Sequence, residues 1–319
     1  MKTLVLGGSR FIGLHLVRLL VEKGHEVSVL NRGQTSVDLP AEVNRLHADR
    51  YDKRQVAKAL GGRSFDVAFD ISGYDPDSLK PVLSALEGNV GRFVFCSTTA
   101  VYAPSHTHPV KEDFPLDRDS PRKYSTDKIA CEDFLGEAHR ARDFPVTFIR
   151  PPYVYGPDNY IAAREFSFFA RLSQGRKIIV PGDGLNLIHL VHVDDLAEGF
   201  LAAASRDNVV GEAYTIASPD LITTAGYVQV IADVMGVKPD IVNVEPAEYE
   251  ALGQEFYPYE WRASQCYSTD KAQRDLGWTP RYHMRDGLEM TYRWWMDSGL
   301  DKEPWDFSAE NAALSKLGS

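Results

Sequence analysis

Residues 4–13 read LVLGGSRFIG, an apolar run that passes straight into a turn containing Gly7, Gly8 and Gly13. The amphipathic pattern of residues 11–23 predicts a helix directly after this turn. A helix N-terminus offers free amides and a partial positive charge to an anion, and glycines let the backbone approach it closely. Because the junction opens a strand–helix–strand unit, it favours a dinucleotide-binding site over a turn that binds nothing.

Short apolar runs then alternate with amphipathic segments through the first half of the chain. Strands are predicted at residues 2–6, 26–30, 44–47, 65–71, 93–96 and 146–150, with helices at 11–23, 52–60, 78–87 and 124–137. This alternation is typical of an α/β chain with a Rossmann-type, doubly wound parallel sheet covered by helices on both faces. Residues 1–152 are therefore predicted to form a dinucleotide-binding domain.

Proline, glycine and aromatic residues become frequent after Arg150. We expect a smaller C-terminal α/β substrate-binding domain made of residues 153–189 and 218–319, with residues 190–217 returning to the first domain. In the returning segment, Asp195 and Glu198 have the spacing of a capping box at the start of a helix. The tail after Trp305 is polar, and we expect it to be frayed.

Composition limits the classes of function. The net charge is −10, and an acidic chain repels phosphate backbones at long range, so nucleic acid is not an expected partner. Cys96, Cys131 and Cys266 lie far apart, which argues against a zinc site or a disulfide framework and fits a reducing compartment. No apolar run is long enough for a signal peptide or a membrane span. We expect a soluble cytoplasmic protein without a membrane partner.

Residues around the glycine turn bear on the choice of cofactor. Arg10 stands at the middle glycine of a Gly-x-x-Gly-x-x-Gly spacing, so either Gly8 supplies the close approach or the guanidinium reaches a phosphate. The second strand ends at Asn31 and Arg32, where an NAD-specific site usually has an acid. The guanidiniums of Arg10 and Arg32 suit a 2′-phosphate, which favours NADP(H) as the cofactor. NAD(H) is the alternative if Arg32 stacks on the adenine or is solvated. Asp49 fits either an adenine contact or a turn.

Tyr124 and Lys128 lie four residues apart, which places them on one face of a helix. A tyrosine phenol has a pKa of roughly 10, and a nearby ammonium lowers it, so the pair makes a usable general acid/base. The same spacing is common by chance on solvated helices. The order of the motifs supports the catalytic interpretation: glycine turn, then Ser97-Thr98-Thr99 at a strand end, then this pair.

Taken together, these motifs resemble the extended short-chain dehydrogenase/reductases of the NAD-dependent epimerase/dehydratase family. The matching segments are GGSRFIG, HADRYD, FCSTTAVY, YSTDK, RPPYVYGP, PGDG followed by HVDDLA, and STDKAQRDLGWTP. The resemblance implies hydride exchange between the cofactor and a hydroxyl or carbonyl substrate. It implies that Tyr124 moves the proton, Lys128 bonds the nicotinamide ribose, and Thr98 holds the reacting oxygen.

The resemblance also implies a set of binding residues and a homodimer, because many relatives dimerise through helices like those at 78–87 and 124–137. The cofactor contacts predicted from the turn and the resemblance are Gly7, Gly8, Ser9, Arg10, Phe11, Ile12, Gly13, Asn31, Arg32, Asp49, Arg50, Ile71, Ser72, Gly73 and Pro151. The predicted substrate contacts are Thr99, Tyr153, Arg164 and Arg262.

Two departures concern the substrate. Nucleotide-sugar members usually have an asparagine where this chain has Tyr153, and an Arg-Asp pair where it has Ile188 and His189. The missing arginine weakens the case for a sugar diphosphate, unless Arg164 or Arg262 replaces it.

At these positions the chain resembles a subgroup of the family that includes the chloroplast stem-loop RNA-binding proteins and bacterial relatives. Shared features are the arginine in the glycine turn, RPPYVYGPDNY, the histidine before Val-Asp-Asp, and YPYEWR. In the plant proteins the Tyr/Lys pair is not well kept, whereas it is intact here. The leading hypothesis is therefore an epimerase, dehydratase or reductase acting on a sugar nucleotide or similar small molecule. The alternatives are a non-catalytic RNA-binding module and a protein for which NADP(H) binding is itself the signal.

Three further groups have a structural interpretation. His189, His192 and Asp194 are predicted to be a strand-to-helix junction with satisfied or half-buried histidines, and no metal site is expected. The tryptophans Trp294, Trp295 and Trp305 are expected to pack in the core. Cys96 is expected to be a small buried residue and not a nucleophile.

Overall fold

The computed structural model describes residues 1–318, which form twelve β-strands and ten α-helices. The strands are β1 (Lys2–Leu6), β2 (Glu26–Asn31), β3 (Asn44–His47), β4 (Phe65–Asp70), β5 (Val90–Cys96), β6 (Val146–Arg150), β7 (Tyr153–Tyr155), β8 (Lys177–Pro181), β9 (Leu187–His192), β10 (Ala213–Thr215), β11 (Leu221–Thr223) and β12 (Asp240–Val244). The helices are α1 (Phe11–Glu22), α2 (Lys53–Leu60), α3 (Pro76–Leu86), α4 (Lys123–Arg142), α5 (Glu165–Ser173), α6 (Val193–Ala204), α7 (Thr224–Met235), α8 (Pro246–Ala251), α9 (Met284–Asp297) and α10 (Ser308–Lys316).

Seven parallel strands form the main sheet, in the order β10-β6-β5-β4-β1-β2-β3. The order reverses between β1 and β4, and ligands of open parallel sheets bind beyond the carboxyl ends of the strands at such a point. The strands are nearly continuous apolar runs because helices bury both faces of the sheet. The predicted Rossmann-type doubly wound sheet is confirmed.

Most predicted boundaries lie within a few residues of the observed ones. Residue 52 is a cap and not part of α2, since the Asp52 side chain accepts hydrogen bonds from the amides of Arg54 and Gln55. The helix predicted at 124–137 continues to Arg142. None of the helices within residues 1–318 is long and apolar enough to cross a membrane.

The chain divides into two compact units. The first unit contains Met1–Val154, Val193–Ala217 and Tyr267–Pro280, and the second contains Tyr155–His192, Ser218–Cys266 and Arg281–Ser319. Three boundaries therefore differ from those predicted: residues 153 and 154 belong to the first unit, residues 190–192 belong to the second unit as the end of β9, and Tyr267–Pro280 belongs to the first. Long-range hydrogen bonds hold Tyr267–Pro280 in the first unit. The Trp278 indole donates to the Asp195 carbonyl at 3.0 Å, and the Ser268 amide donates to the Val110 carbonyl at 2.8 Å.

In the second unit, β11 pairs with β9 in an antiparallel arrangement, and β12 and β8 form a parallel pair. Two local predictions are wrong. The capping box at Asp195 fails because α6 begins at Val193, which places Asp195 inside the first turn. The tail after Trp305 is not frayed, because α10 forms there with Ala313 buried.

Candidate active site

The turn between β1 and α1 leaves no room for side chains at its first and last glycines. A Cβ at Gly13 would lie 2.1 Å from the carbonyl oxygen of Gly7. Gly7 has a φ of +90°, and a Cβ there would lie 2.7 Å from Cβ of Ser72. A Cβ at Gly8 would instead meet a methyl group of Val29 at 2.9 Å, so packing inside the protein explains this glycine.

The N-terminus of α1 faces the end of the sheet without a cap from its own sequence. Arg10 precedes the helix and makes no capping side-chain bond, and the first turn contains no acid. The first amide to bond within the turn is that of Gly13, which donates to the Arg10 carbonyl at 3.1 Å. The amides of Phe11 and Ile12 come before it, which gives this end of α1 the donor set that suits a phosphate anion.

No carboxylate stands at the end of β2. The Asn31 amide donates to the Ser9 hydroxyl at 2.5 Å, and its carbonyl accepts from the Gly33 amide at 2.8 Å. Asn31 therefore ties the turn after β2 to the glycine turn. Arg10 and Arg32, which follow β1 and β2, are both exposed at this edge.

The predicted cofactor residue Arg50 is used inside the protein. Its guanidinium makes two hydrogen bonds to the fully buried Asp70, at 2.9 and 2.6 Å, and a third to the Ser72 hydroxyl at 2.7 Å. Burial alone would lower the pKa of Arg50, but the Asp70 carboxylate raises it above its ordinary value. Asp49 has the turn role, since its carboxylate accepts from the Tyr51 amide at 3.0 Å.

Asp70 was missed in the sequence. The signal for it is an acid that follows the apolar residues Val67–Phe69 at the end of the strand FDVAFD. It neutralises Arg50 and accepts a hydrogen bond from the Ser72 amide at 3.1 Å, which fixes the segment that packs on Gly7.

The predicted catalytic pair lies at the start of α4. Tyr124 is half-exposed, whereas Lys128 is only 2% exposed. The Lys128 ammonium donates to the carbonyl of Gly73 after β4 at 2.8 Å and to that of Cys96 at the end of β5 at 2.6 Å. Burial lowers the pKa of Lys128 from its ordinary value of 10.5. One cation thus bridges two neighbouring strand ends, one helical turn from a phenol.

Residues predicted to orient the substrate meet at the ends of β5 and β6. Thr98 is nearly buried, and its hydroxyl accepts from the Ala100 amide at 3.1 Å. The Thr99 amide donates to the Pro151 carbonyl at 2.9 Å. Tyr153, two residues after Pro151, is the first residue of β7 and is half-buried. A hydroxyl that accepts one bond still has its hydrogen to donate, so Thr98 can bind a substrate oxygen.

A second tyrosine, which the sequence did not single out, stands beside the pair. Ile71, Ser72 and Gly73 follow β4 as predicted, and Tyr74 comes next. Its ring centroid lies 5.0 Å from the Lys128 ammonium and 6.5 Å from the Tyr124 ring centroid. The signal for Tyr74 was its position four residues after the end of β4.

The second unit holds the other two predicted substrate residues. Arg164 is half-buried and precedes α5. The Arg262 guanidinium donates to Glu250 at 3.1 Å and lies 4.4 Å from the Trp261 ring, and its substrate role stays a prediction. It also has Glu255 and Glu260 at 3.9 Å, so its charge is already balanced within this unit.

Both histidines are more deeply buried than predicted. The His189 ring is bonded to the Ser218 carbonyl at 2.8 Å, and burial lowers its pKa. His192 is fully buried and lies against the rings of Tyr155 and Tyr282. No group of three or more potential metal ligands occurs within residues 1–318.

Cys96 and Trp295 are buried as expected, whereas Trp294 and Trp305 are half-buried. Burial raises the pKa of the Cys96 thiol to about 11, which makes it a poor nucleophile.

Comparisons with known proteins identify the family of the chain. The model of the NAD-dependent epimerase/dehydratase family matches residues 3–217. The chain belongs to this family. It is 32% identical over 330 residues to the chloroplast stem-loop binding protein of 41 kDa b of Arabidopsis thaliana, covering 99% of this chain and 84% of that protein. It is 23% identical to dTDP-D-glucose 4,6-dehydratase of Homo sapiens, covering 93% and 90%.

Solved structures in this family share the fold. The epimerase Mth375 of Methanothermobacter thermautotrophicus superposes with a TM-score of 0.80 at 21% identity, covering 94% of both chains. dTDP-glucose 4,6-dehydratase of Bacillus anthracis, solved in complex with NAD, superposes with a TM-score of 0.79 at 21% identity, covering 94% of this chain and 98% of that one. The family is described as NAD-dependent, and the Bacillus anthracis structure contains NAD.

Proposed function

We propose that this family member is an NAD(P)-dependent enzyme that acts on a hydroxyl or carbonyl group of a sugar nucleotide or a similar small molecule. The reaction is an epimerisation, a dehydration or a reduction. The observation that carries the proposal is the buried Lys128 ammonium, held by two strand-end carbonyls one helical turn from the half-exposed Tyr124.

The chain's own residues move the proton and orient the substrate. The positive charge of Lys128 favours the phenolate of Tyr124, so that this oxygen takes a proton from a substrate hydroxyl or returns one to a carbonyl. The Thr98 hydroxyl donates to the same substrate oxygen and fixes its position. The nicotinamide, when bound, accepts or returns the hydride.

The end of β2 favours NADP(H) over NAD(H). The position that would take an acid in an NAD-specific site is Asn31, which is bonded to Ser9. The exposed guanidiniums of Arg10 and Arg32 follow the two adjacent strands and suit a 2′-phosphate. We therefore expect replacement of Arg32 by Ala to lower the affinity for NADPH about tenfold, as for the loss of one charge-assisted contact. Affinity for NADH should stay nearly unchanged, and fluorescence titration with the two cofactors measures the difference.

The role of Tyr124 is tested by Tyr124→Phe. We expect turnover to fall by about 100-fold or more, since general acid/base catalysis typically contributes that much, while NADPH binds as before. The substrates to test are the ligand that copurifies with the protein, identified by mass spectrometry, and dTDP-glucose, UDP-glucose and UDP-glucuronic acid. Full turnover by Tyr124→Phe would refute the assigned role.

A second candidate function is RNA binding without catalysis, and the 32% identity to a stem-loop binding protein favours it. The net charge of −10 and the Tyr124–Lys128 geometry weigh against it. A gel-shift titration with a stem-loop RNA at moderate salt distinguishes the two, because non-specific binding to phosphates depends steeply on salt. If the protein binds NADPH but turns over none of the substrates, NADP(H) sensing becomes the better account.

Location and assembly are proposals as well. We place the protein in the cytoplasm because Cys96, Cys131 and Cys266 are all free thiols, as a reducing compartment favours. A homodimer through α3 and α4 follows only from the family resemblance, and light scattering of the purified protein tests it.

A further inference from the structure

The charge of Lys128 is buried in an unusual setting. Neither of its hydrogen bonds goes to a carboxylate; both go to backbone carbonyls. Two aromatic rings also lie close to it: the Tyr74 ring centroid is 5.0 Å from the ammonium, and that of Phe95 is 4.8 Å from it. The Asp70 carboxylate also favours the cation from nearby, but it is paired with Arg50. Desolvation of a cation is costly, so each of these groups contributes to its stabilisation.

This setting suits a lysine that acts on a neighbouring phenol. A carboxylate bonded to the ammonium would stabilise the charge, but it would also cancel the positive potential that favours the Tyr124 phenolate. Carbonyl dipoles and the negative faces of aromatic rings stabilise the cation and leave its net charge in place.

The two rings are not equivalent. Phe95 lies in β5, fully buried among core residues, so packing explains it. Tyr74 is 49% exposed, and burial of apolar surface does not explain an aromatic side chain there. Its ring is tilted by 50° to that of Tyr124, at 6.5 Å between centroids, so it flanks both members of the pair.

We propose that Tyr74 is a positioning residue of the acid–base pair, whose ring face keeps the Lys128 ammonium charged and in place one helical turn from Tyr124. This inference rests on the proposed function, since it requires that Lys128 acts on Tyr124. The contribution of Tyr74 comes from the face of its ring and not from its hydroxyl group.

The ionisation of Tyr124 tests this without a substrate. The full-length protein, without added cofactor, is labelled with tyrosine carrying carbon-13 at Cζ and titrated with pH by NMR. Tyr124→Phe identifies the signal among the 15 tyrosines. Two variants at position 74 have rings of similar shape. Tyr74→Phe keeps the negative potential of the ring face, and replacement by pentafluorophenylalanine makes the potential of the ring face positive. Lys128→Met removes the cation itself.

We expect Tyr74→Phe to leave the ionisation constant of Tyr124 within about twofold of the wild type. The fluorinated ring should lower it severalfold, up to about 30-fold for a desolvated cation–π contact. Equal constants for the phenylalanine and pentafluorophenylalanine variants would overturn the role of Tyr74. If Lys128→Met leaves the constant unchanged, the acid–base pair of the proposed function fails as well, so the two failures are distinguishable.

Discussion

At the scale of single residues, the site depends on which charges the protein neutralises. Arg50 and Asp70 form a buried, doubly hydrogen-bonded ion pair, with side chains 12% and 0% exposed. The pair also holds Ser72, which packs directly against Gly7 of the cofactor turn. Arg50 therefore positions the cofactor turn from within.

We expect Asp70→Ala to lower the free energy of unfolding by about 3–5 kcal/mol, because it leaves the guanidinium of Arg50 buried without a partner. Urea unfolding followed by circular dichroism measures the loss. The matched control is Asp133→Ala, which breaks an exposed pair with Arg118 and should cost about 1 kcal/mol or less.

A double replacement checks the cause. Arg50→Met with Asp70→Leu removes both charges and should recover most of the lost stability. If the double variant is no more stable than Asp70→Ala, the unpaired charge is not the reason for the loss.

At the scale of elements, the loop before α5 is anchored by a buried acid. Glu165, the first residue of α5, is fully buried. Its carboxylate accepts from the Asn159 side chain at 2.8 Å and from the Gly156 amide at 3.3 Å. The Tyr259 hydroxyl lies 3.5 Å from its other oxygen. The conspicuous motif RPPYVYGPDNY is thus held to α5 by one carboxyl group.

This carboxyl group makes stability depend on pH. Burial raises the pKa of Glu165 above its ordinary value of 4.5, and the donors from Asn159 and Gly156 and the charge of Arg164 only partly offset that effect. A raised pKa in the folded state means that the stability is fully present below pH 4.5 and is lost as the pH rises through the folded-state pKa. The other ionisable groups around it are the phenols of Tyr227 and Tyr259.

We therefore expect Glu165→Gln to be more stable than the wild type at pH 8 and to lose this advantage near pH 4.5. The Tm of the variant relative to the wild type should rise as the pH rises from 4.5 to 8. Thermal melts from pH 4.5 to 8 measure it, with the exposed replacement Glu248→Gln as control. Parallel Tm curves for the Glu165 variant and the wild type would contradict this account.

At the scale of the whole molecule, the first unit is assembled from three separate stretches of chain. β10 adds to the sheet beside β6, and α6 packs against α1. Phe200 of α6 is fully buried, with its ring edge-on to Phe69 at 6.4 Å. The stretch before Tyr155 contains the glycine turn and the Tyr124–Lys128 pair, but it lacks α6, which packs against α1, and β10, which pairs with β6.

A fragment of residues 1–154 should therefore fail to fold alone, because the apolar surfaces under α6 would face water. We expect no cooperative thermal transition and no NADPH binding from the fragment, whereas the full chain shows both. Circular dichroism melts and fluorescence titration make the comparison. A fragment that melts cooperatively and binds NADPH would show that the later stretches are dispensable.

The sequence by itself determined the features that depend on neighbouring residues. The glycine turn after β1, the six strands of the first half and the helical spacing of Tyr124 and Lys128 follow from apolar periodicity and helix geometry. The family motifs then indicated a cofactor site and a catalytic pair.

Only the tertiary structure decided which distant groups meet. In the folded chain Arg50 pairs with Asp70, and Arg262 pairs with Glu250. The segment Tyr267–Pro280 belongs to the first unit. The fold also places Tyr74 beside Lys128. Local periodicity carries no information about such pairs, because burial and charge balance depend on how remote segments pack. A residue such as Arg50 therefore looks like a ligand in the sequence and is an internal support in the fold.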